Sequence, residues 1–541
     1  MAERTKTEDG PFRHRMAAFA RAEDGSFVVL TLFFFAAIFL MGGVVVDILR
    51  HDYLRTQMQT TLDNAVLAAT DLDQTLDPES VVADYFDKAG LASALTNVDV
   101  TTRVNARTVS ANAEMPMPTY FMHALGFDDF GAATSGTARE DIRDIEISMA
   151  LDISGSMGND GKLGYMKTAA KNFVDEMLLD ASGNPVEGEV SINIVPYATQ
   201  VNAGAEMLSK LSLTHTHDYS HCIDFASDAF QTAGMSPETA YRQTAHFDRY
   251  PYVPDEDDRR LHNGYLQCRT DTNSESLFVS DDRTALHQKI DSLRHGGNTS
   301  IEIGMKWAIG LLDPLMRPAV STLPGIDATF TDRPFDYGRE NSMKVLIVMT
   351  DGENTTQLSM KPEYSGSNLS DIWWGYHDDR LYFSVQDEEQ GNRDGDGRYY
   401  EDYFIATEGK WFNDPVGGSA AEQMTWAQVW DAMPLAWHAY HARAQQHDSN
   451  SRQSVLNHWY YSVFDEIGAN EKDRRLTSLC EAISARDVVV FTIAFNISQE
   501  NSALLKSCAT TPNHYYNVTG SQISYAFSSI AGTINQLQLV E

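Results

Sequence analysis

Phe27 to Val46 is a run of twenty residues without a charge, FVVLTLFFFAAIFLMGGVVV. At 1.5 Å rise per residue a helix over it crosses about 30 Å, the depth of a bilayer's hydrocarbon, so the pattern predicts a transmembrane helix. A cleaved signal is the competing reading. Its apolar stretch is as a rule shorter, and no small-x-small cleavage site follows before Asp47. Beyond the run, Leu54, Met58, Leu62, Ala65, Val66 and Ala69 recur at spacings of three and four. The helix is therefore expected to continue out of the bilayer with one apolar stripe, covered either by the following domain or by a partner helix. A short helix over 81–91 and alternating strands over 98–104 and 108–113 come next.

From Asp144 the pattern changes to continuous apolar strands separated by helices. Strands are predicted over Ile145–Leu151, Val190–Val195, Val345–Met349 and Val488–Ala494, with helices over Tyr165–Leu179, Thr299–Leu312 and, at the end of the chain, Ala526–Leu537. Strands apolar on both faces and alternating with helices point to an α/β fold, a doubly wound parallel sheet. Two stretches break the alternation, about 205–290 and 353–470, and read as insertions. The expected organisation is a segment 1–26, the span 27–46, a helix-plus-sheet stalk 47–140 and the α/β domain with its insertions, 141–541.

Composition adds sign and compartment. With 43% hydrophobic residues and eight Trp in 541 residues, the chain can bury a core, which excludes global disorder. The net charge of −35 repels phosphate backbones and disfavours nucleic acid as principal ligand. Arg4, Lys6, Arg13, Arg15 and Arg21 precede the apolar run, whereas Arg50 and Arg55 follow it closely. That bias places the N-terminus in the cytoplasm and the large body outside it. In an oxidising compartment cysteines pair, and sequence order suggests Cys222–Cys268 and Cys480–Cys508 among the three possible connectivities.

The sharpest chemical signal is Asp152-Ile-Ser154-Gly-Ser156, directly after one apolar strand and before a helix. A carboxylate and two hydroxyls there are hard oxygen donors at the carboxyl edge, where open α/β sheets bind ligands. Gly296-Gly-Asn-Thr299 opens a later helix, and Asp351 ends another buried strand. Asp152, Ser154, Ser156, Thr299 and Asp351 make an oxygen-only set that favours Mg²⁺, Mn²⁺ or Ca²⁺. The competing readings are a capped turn without metal, and a metal that only fixes the loops.

This constellation resembles the von Willebrand factor type A domain and its metal-ion-dependent adhesion site, D-x-S-x-S with a distant Thr and a distant Asp-Gly. The resemblance implies that Ser154, Ser156 and Thr299 are direct ligands, that Asp152 and Asp351 act directly or through water, and that a partner's acidic side chain fills the open position. The N-terminal region is similar to TadE/TadG-like proteins of Flp (tight-adherence) pilus systems. The matching residues are Glu23-Asp-Gly-Ser26, Val45-Val-Asp47, Gln57, Leu62, Asp63, Ala65 and Leu67-Ala-Ala69. Val195–Asn202, Trp307–Pro314 and Cys508-Ala-Thr with Tyr515-Tyr-Asn resemble later TadG-like segments. What this implies is a non-enzymatic, inner-membrane-anchored component of pilus assembly whose body lies in the periplasm and binds other envelope or pilus proteins. The anchor lacks an internal proline, so pilin-like processing is not carried over. A surface adhesin using a Trp-rich insertion is the alternative function, and an accessory subunit of a chaperone or metal-inserting ATPase a third.

Other features are weaker. Asn392-Arg-Asp394-Gly-Asp396-Gly397 mimics the start of a calcium loop, but its twelfth position is Tyr403 rather than Glu. Trp426, Trp430 and Trp437 have helical spacing and read as the insertion's own core. His215, His217 and His221 lack a second ligand pair for zinc. There is no G-x-S-x-G, H-E-x-x-H or phosphate-binding Gly-rich loop.

Overall fold

The computed structural model describes residues 24–71, 76–103, 106–141, 144–179, 183, 190–249, 266–339, 342–386, 392–393, 399–400, 402–447, 449–498 and 502–536. The chain divides near residue 142 into two units.

In the first unit the apolar run and the stripe beyond it form one helix, α1 (Asp24–Thr70), 47 residues and about 70 Å long. It is the one helix among the described residues long and apolar enough to cross a membrane. Along 27–46 its large apolar side chains are exposed, as Phe27, Phe33, Ile38 and Phe39 show. From Met58 onward the stripe turns inward, and Met58, Leu62, Ala65 and Ala69 are fully buried. Their cover is the unit itself. Helix α2 (Pro78–Lys88) and the antiparallel strands β1 (Leu95–Arg103), β2 (Ala106–Pro118) and β3 (Asp129–Asp141) supply Val82, Phe86, Val109, Ala111 and Ala113 to the same core. Asp77 caps α2 by accepting from Ser80 N at 3.0 Å, and Pro78 fits its first turn.

The second unit is a mixed α/β body. In chain order its central elements are β4 (Asp144–Asp152), α3 (Lys162–Leu178), β5 (Val190–Tyr197), β6 (Leu277–Ser280), α4 (Arg283–Ser292), α5 (Ile301–Gly310), β7 (Ser342–Thr350), α6 (Ala469–Ser484), β8 (Val489–Phe495), α7 (Ala503–Cys508), β9 (Tyr515–Val518) and α8 (Gln522–Gln536). The strands lie in the order β9-β8-β7-β4-β5-β6. Five run parallel, but β6 pairs antiparallel with β5, which departs from an all-parallel sheet. This four-residue edge strand needs no crossover helix, because the chain arrives from an insertion and passes at once into α4.

Alternate strand residues feed two cores. Ile147, Met149, Ile347 and Phe491 pack with Phe173 of α3 and Phe527 of α8. Ala150, Leu346, Val348 and Val490 pack with Trp307 of α5 and Leu479 of α6. Burial on both faces is why these strands read as unbroken apolar runs.

The first insertion ends before Leu277, since β6 and α4 belong to the sheet. It carries only short strands, Leu213–Thr214, Ile223–Asp224 and Tyr241–Gln243, and is tied by a Cys222–Cys268 disulfide with Sγ atoms 2.01 Å apart. The second pair, Cys480–Cys508 at 1.94 Å, joins α6 to α7. Residues 250–265, which hold the acidic run 255–258, lie outside the described residues.

The second insertion is a lobe on a stem. Gln357–Met360 pairs antiparallel with Phe464–Ile467, so the two ends of the insertion meet. Above them, Leu369–His377, Arg380–Gln386, Tyr403–Ile405, Lys410–Phe412 and Glu422–Thr425 form a five-stranded sheet. Its core contains Ile372, Val385 and Val429 with Trp426 and Trp430, whose rings stack 5.2 Å apart. Trp430 also donates from Nε1 to Tyr364 O at 2.7 Å. All seven of its tryptophans are buried or half-buried. Deleting the Trp430 ring is expected to leave a cavity and an unpaired carbonyl, so Trp430→Ala should cost about 3–5 kcal/mol in the lobe's unfolding free energy, read by urea denaturation.

Candidate functional site

β4 and β7 are hydrogen-bonded neighbours, in register from Asp144 opposite Ser342 to Leu151 opposite Met349. β4 ends in Asp152 and Asp351 follows β7 directly, at the same edge of the sheet, so the two carboxylates come together. Both are buried. Asp152 accepts from Ser154 N at 2.7 Å through one oxygen and from Thr350 Oγ1 at 2.7 Å through the other. Ser156 Oγ donates to Asp351 Oδ1 at 2.6 Å and lies 3.1 Å from Ser154 Oγ. The second oxygen of Asp351 accepts from Lys162 Nζ at 2.8 Å, from the first turn of α3. Thus four of the five expected residues form one cluster.

Thr299 reaches the cluster by a different route. Gly155 N donates to Gly297 O at 3.0 Å, and Gly296 N donates to Ile153 O at 2.9 Å, which presses the two loops together. Gly297 sits at φ +86°, and a Cβ there would come within 3.1 Å of Thr199 Oγ1, so both conformation and close approach call for glycine. Thr299 N donates to Thr355 Oγ1 at 2.8 Å, and its carbonyl accepts from Thr355 N and Lys472 Nζ, each at 3.0 Å. No hydrogen bond joins Thr299 to Asp152, Ser154, Ser156 or Asp351 among the described residues. Its placement is a backbone matter, set by the stem of the second insertion and by α6.

The charges explain the surroundings. The Asp152 carboxyl is pushed up to about 6, first by burial and then by the facing Asp351 carboxylate. Lys162 supplies one positive charge against these two carboxylates. Glu302, three residues after Thr299, is fully buried with no hydrogen-bond partner for its carboxylate oxygens among the described residues, and burial pushes its pKa up. Burial likewise lowers that of Lys472, whose Nζ donates to Thr299 O at 3.0 Å. Two buried carboxylates and two serine hydroxyls, with the Lys162 ammonium on Asp351, are a hard-oxygen donor set of the chemistry that suits a divalent cation. Lys162, Thr350, Thr355 and Lys472 were not singled out from the sequence. Lys162 and Lys472 lie on amphipathic helices, where a lysine ordinarily marks the solvated face.

The weaker candidates do not converge. His215 pairs with exposed Asp218 at 2.8 Å, while His217 is buried and 3.0 Å from Thr244 O. Among the described residues no group of three or more His, Cys, Asp or Glu side chains is placed to hold a metal. Of the calcium-loop mimic, Asn392 and Arg393 pair with Tyr400 and Tyr399, and residues 394–398 lie outside the described residues.

Comparison with known proteins adds a family assignment for one segment. Residues 25–72, which cover α1 and little else, match the family model described as "Putative Flp pilus-assembly TadE/G-like". No curated protein matches the chain. Among solved structures it is similar to the vWF domain of the type V pili tip protein Mfa5 from Porphyromonas gingivalis, at 15% identity over 74% of this chain and 98% of that one, TM-score 0.31. It is also similar to the pilus adhesin SpaC from Lactobacillus rhamnosus GG, at 10% identity over 81% and 33%, TM-score 0.27. The pilus adhesin RrgA from Streptococcus pneumoniae matches at 12% identity over 82% and 48%, TM-score 0.30. The chain thus spans a third to a half of the length of the latter two.

A pH test follows from the buried pair. A carboxyl whose value lies above the unfolded-chain value of about 3.9 favours the fold when protonated. Its contribution is therefore full below pH 4 and is lost as pH rises through 6, by up to about 3 kcal/mol. In chelator, Asp152→Asn is expected to flatten the fall in urea midpoint between pH 4 and 7. A variant whose midpoint falls as steeply as wild type would show that Asp152 is not the group responsible.

Proposed function

We propose that this protein is a membrane-anchored, non-enzymatic binding component of Flp/Tad pilus assembly. In this reading α1 crosses the inner membrane with its N-terminus in the cytoplasm, and the second unit lies in the periplasm as a doubly wound, type A-like domain. The observation that carries the binding role is the meeting of Asp152, Ser154, Ser156 and Asp351 at the ends of two adjacent parallel strands. The match at residues 25–72 supports the pilus system.

Asp152, Ser154, Ser156, Thr299 and Asp351 would hold Mg²⁺, or Mn²⁺ or Ca²⁺. The bound cation would accept an acidic side chain of another envelope or pilus subunit. Lys162 is already within hydrogen-bond distance of Asp351, so it competes with the cation for that carboxylate and tunes affinity downward. The adhesin alternative draws less on the tryptophans than their number suggests, because Trp426 and Trp430 are buried in the lobe's core and Trp374, Trp437 and Trp459 pack against it.

Calorimetric titration of the full chain in detergent with Mg²⁺, Mn²⁺ and Ca²⁺ tests the site. Saturable binding is expected in wild type and is expected to vanish in Asp152→Ala, whose far-ultraviolet spectrum should be unchanged. Lys162→Met should bind about tenfold more tightly, a gain of roughly 1.4 kcal/mol from removing a competing ion pair. Folded wild-type protein that binds none of the three ions would overturn the metal reading.

A further inference from the structure

We infer that the tip of the β2–β3 hairpin, residues 120–127, is a second contact between the protein and the bilayer, seated in the lipid interface where α1 leaves it. The inference rests on the reading of Phe27–Val46 as a membrane span. Asp47 is the first charged residue after that run, and it is buried. Its carboxylate accepts three backbone N–H groups from the tip, Tyr120 at 3.1 Å, Phe121 at 2.8 Å and Met122 at 2.9 Å. This bond set fixes the height of the tip on the helix.

From there the tip extends back along the apolar run. Phe121 lies against Gly43 so closely that a Cβ on that glycine would collide with its ring. The same ring meets Phe39 edge-on, with centroids 5.8 Å apart. Gly43 and Phe39 precede Asp47 by four and eight residues, which is about 6 and 12 Å along the axis. A helix that buries Phe27–Val46 in lipid therefore carries Phe121 to the depth of the hydrocarbon boundary.

What the tip turns outward suits that depth. Tyr120, Leu125 and Phe127 are 68%, 50% and 55% exposed. Three such side chains on one small knob are costly in water, yet aromatic and aliphatic groups beside a span are at home in the interface. Arg50 sits with its guanidinium 4.2 Å from the Tyr120 ring centre and 3.9 Å from Asp47 Oδ1, which ties the Tyr120 side of the tip to the helix. The knob is closed at its neck by Thr119 N donating to Asp128 O at 3.2 Å and by the Thr119 hydroxyl on Phe127 O, so it presents a formed surface. The neck charges are His123, 2.7 Å from Asp128, with Asp129 beside them. That acidic bias excludes attraction to anionic lipid and commits the contact to zwitterionic headgroups and acyl chains.

All four native cysteines are in disulfides, so a cysteine introduced into the full chain is its one reactive thiol. Phe127→Cys, Phe34→Cys in mid-span and Tyr85→Cys on α2 would each carry an environment-sensitive fluorophore. Each protein would be reconstituted into phosphatidylcholine vesicles with and without spin-labelled lipid. The expected result is strong quenching at positions 34 and 127, several-fold above position 85, and no gain when phosphatidylserine is added. Introducing Gly43→Leu with Phe127→Cys should reduce quenching at 127 by lifting Phe121. Quenching at 34 with none above background at 127 would overturn the contact while sparing the anchor. No quenching at 34 would overturn the anchor reading and this contact with it.

Discussion

Two like charges buried side by side are the constraint around which the second unit is built. The parallel pairing of β4 with β7 brings Asp152 beside Thr350 and so sets Asp351, one residue on, next to it at one sheet edge. In a low-dielectric site such a pair repels strongly unless fixed dipoles and a cation compensate. The structure provides both kinds of relief. Ser154 N, Thr350 Oγ1 and Ser156 Oγ donate to the carboxylates, and Lys162 adds an ammonium. Thr350 is held by β7 itself and the Ser154–Ser156 turn leaves β4 directly, so the two buried strands, packed on both faces, matter to the chemistry as much as to the fold.

The same constraint explains why the second insertion begins where it does. Directly after Asp351, Asn354 Oδ1 accepts from Ile301 N at 2.8 Å, capping the start of α5, and Thr355 grips Thr299 in both directions. Asn298 donates to Thr356 O at 2.5 Å before the stem strand starts at Gln357. The returning stem leads into α6, whose first turn brings Lys472 to the Thr299 carbonyl. Both roots of the lobe therefore hold the Thr299 loop. Displacement of the stem would be felt at the candidate site before it reached the rest of the sheet.

Much of this was legible in the sequence, for physical reasons that also mark where legibility ends. Strands β4, β5, β7 and β8 announce themselves because burial on both faces leaves few polar positions, such as Glu146, Asn193, Lys344 and Thr492. The D-x-S-x-S segment is readable because its donors are adjacent in sequence. Lys162 and Lys472 are not, since burial of a lysine depends on a carboxylate or carbonyl far away in the chain. The antiparallel turn of β6 is equally hidden, because four residues carry no directional signal. Sequence order did suggest the disulfide pairs found, Cys222–Cys268 and Cys480–Cys508. The stripe from Leu54 to Ala69 showed that α1 must be covered, but its cover lies in strands whose alternating residues fit many partners.

Asp47 shows the limit most plainly. On sequence it is the polar residue that ends an apolar run, a role any aspartate could fill by facing water. In the structure it faces inward and binds three N–H groups 73 to 75 residues further on. A buried carboxylate satisfied by three backbone donors is costly to disturb, since each donor would be left without a partner beside apolar surface. The bond set thus locks the hairpin to the helix at the point where α1 changes from exposed apolar side chains to a buried stripe. Because α1 runs unbroken through that point, no flexible linker separates the apolar segment from the first unit's core. In the proposed reading, where residues 27–46 span a bilayer, any orientation imposed on that segment is imposed on β1, β2 and β3 as well. The helix and the hairpin tip therefore form one rigid piece, held together by Asp47 and by Phe121 against Gly43 and Phe39.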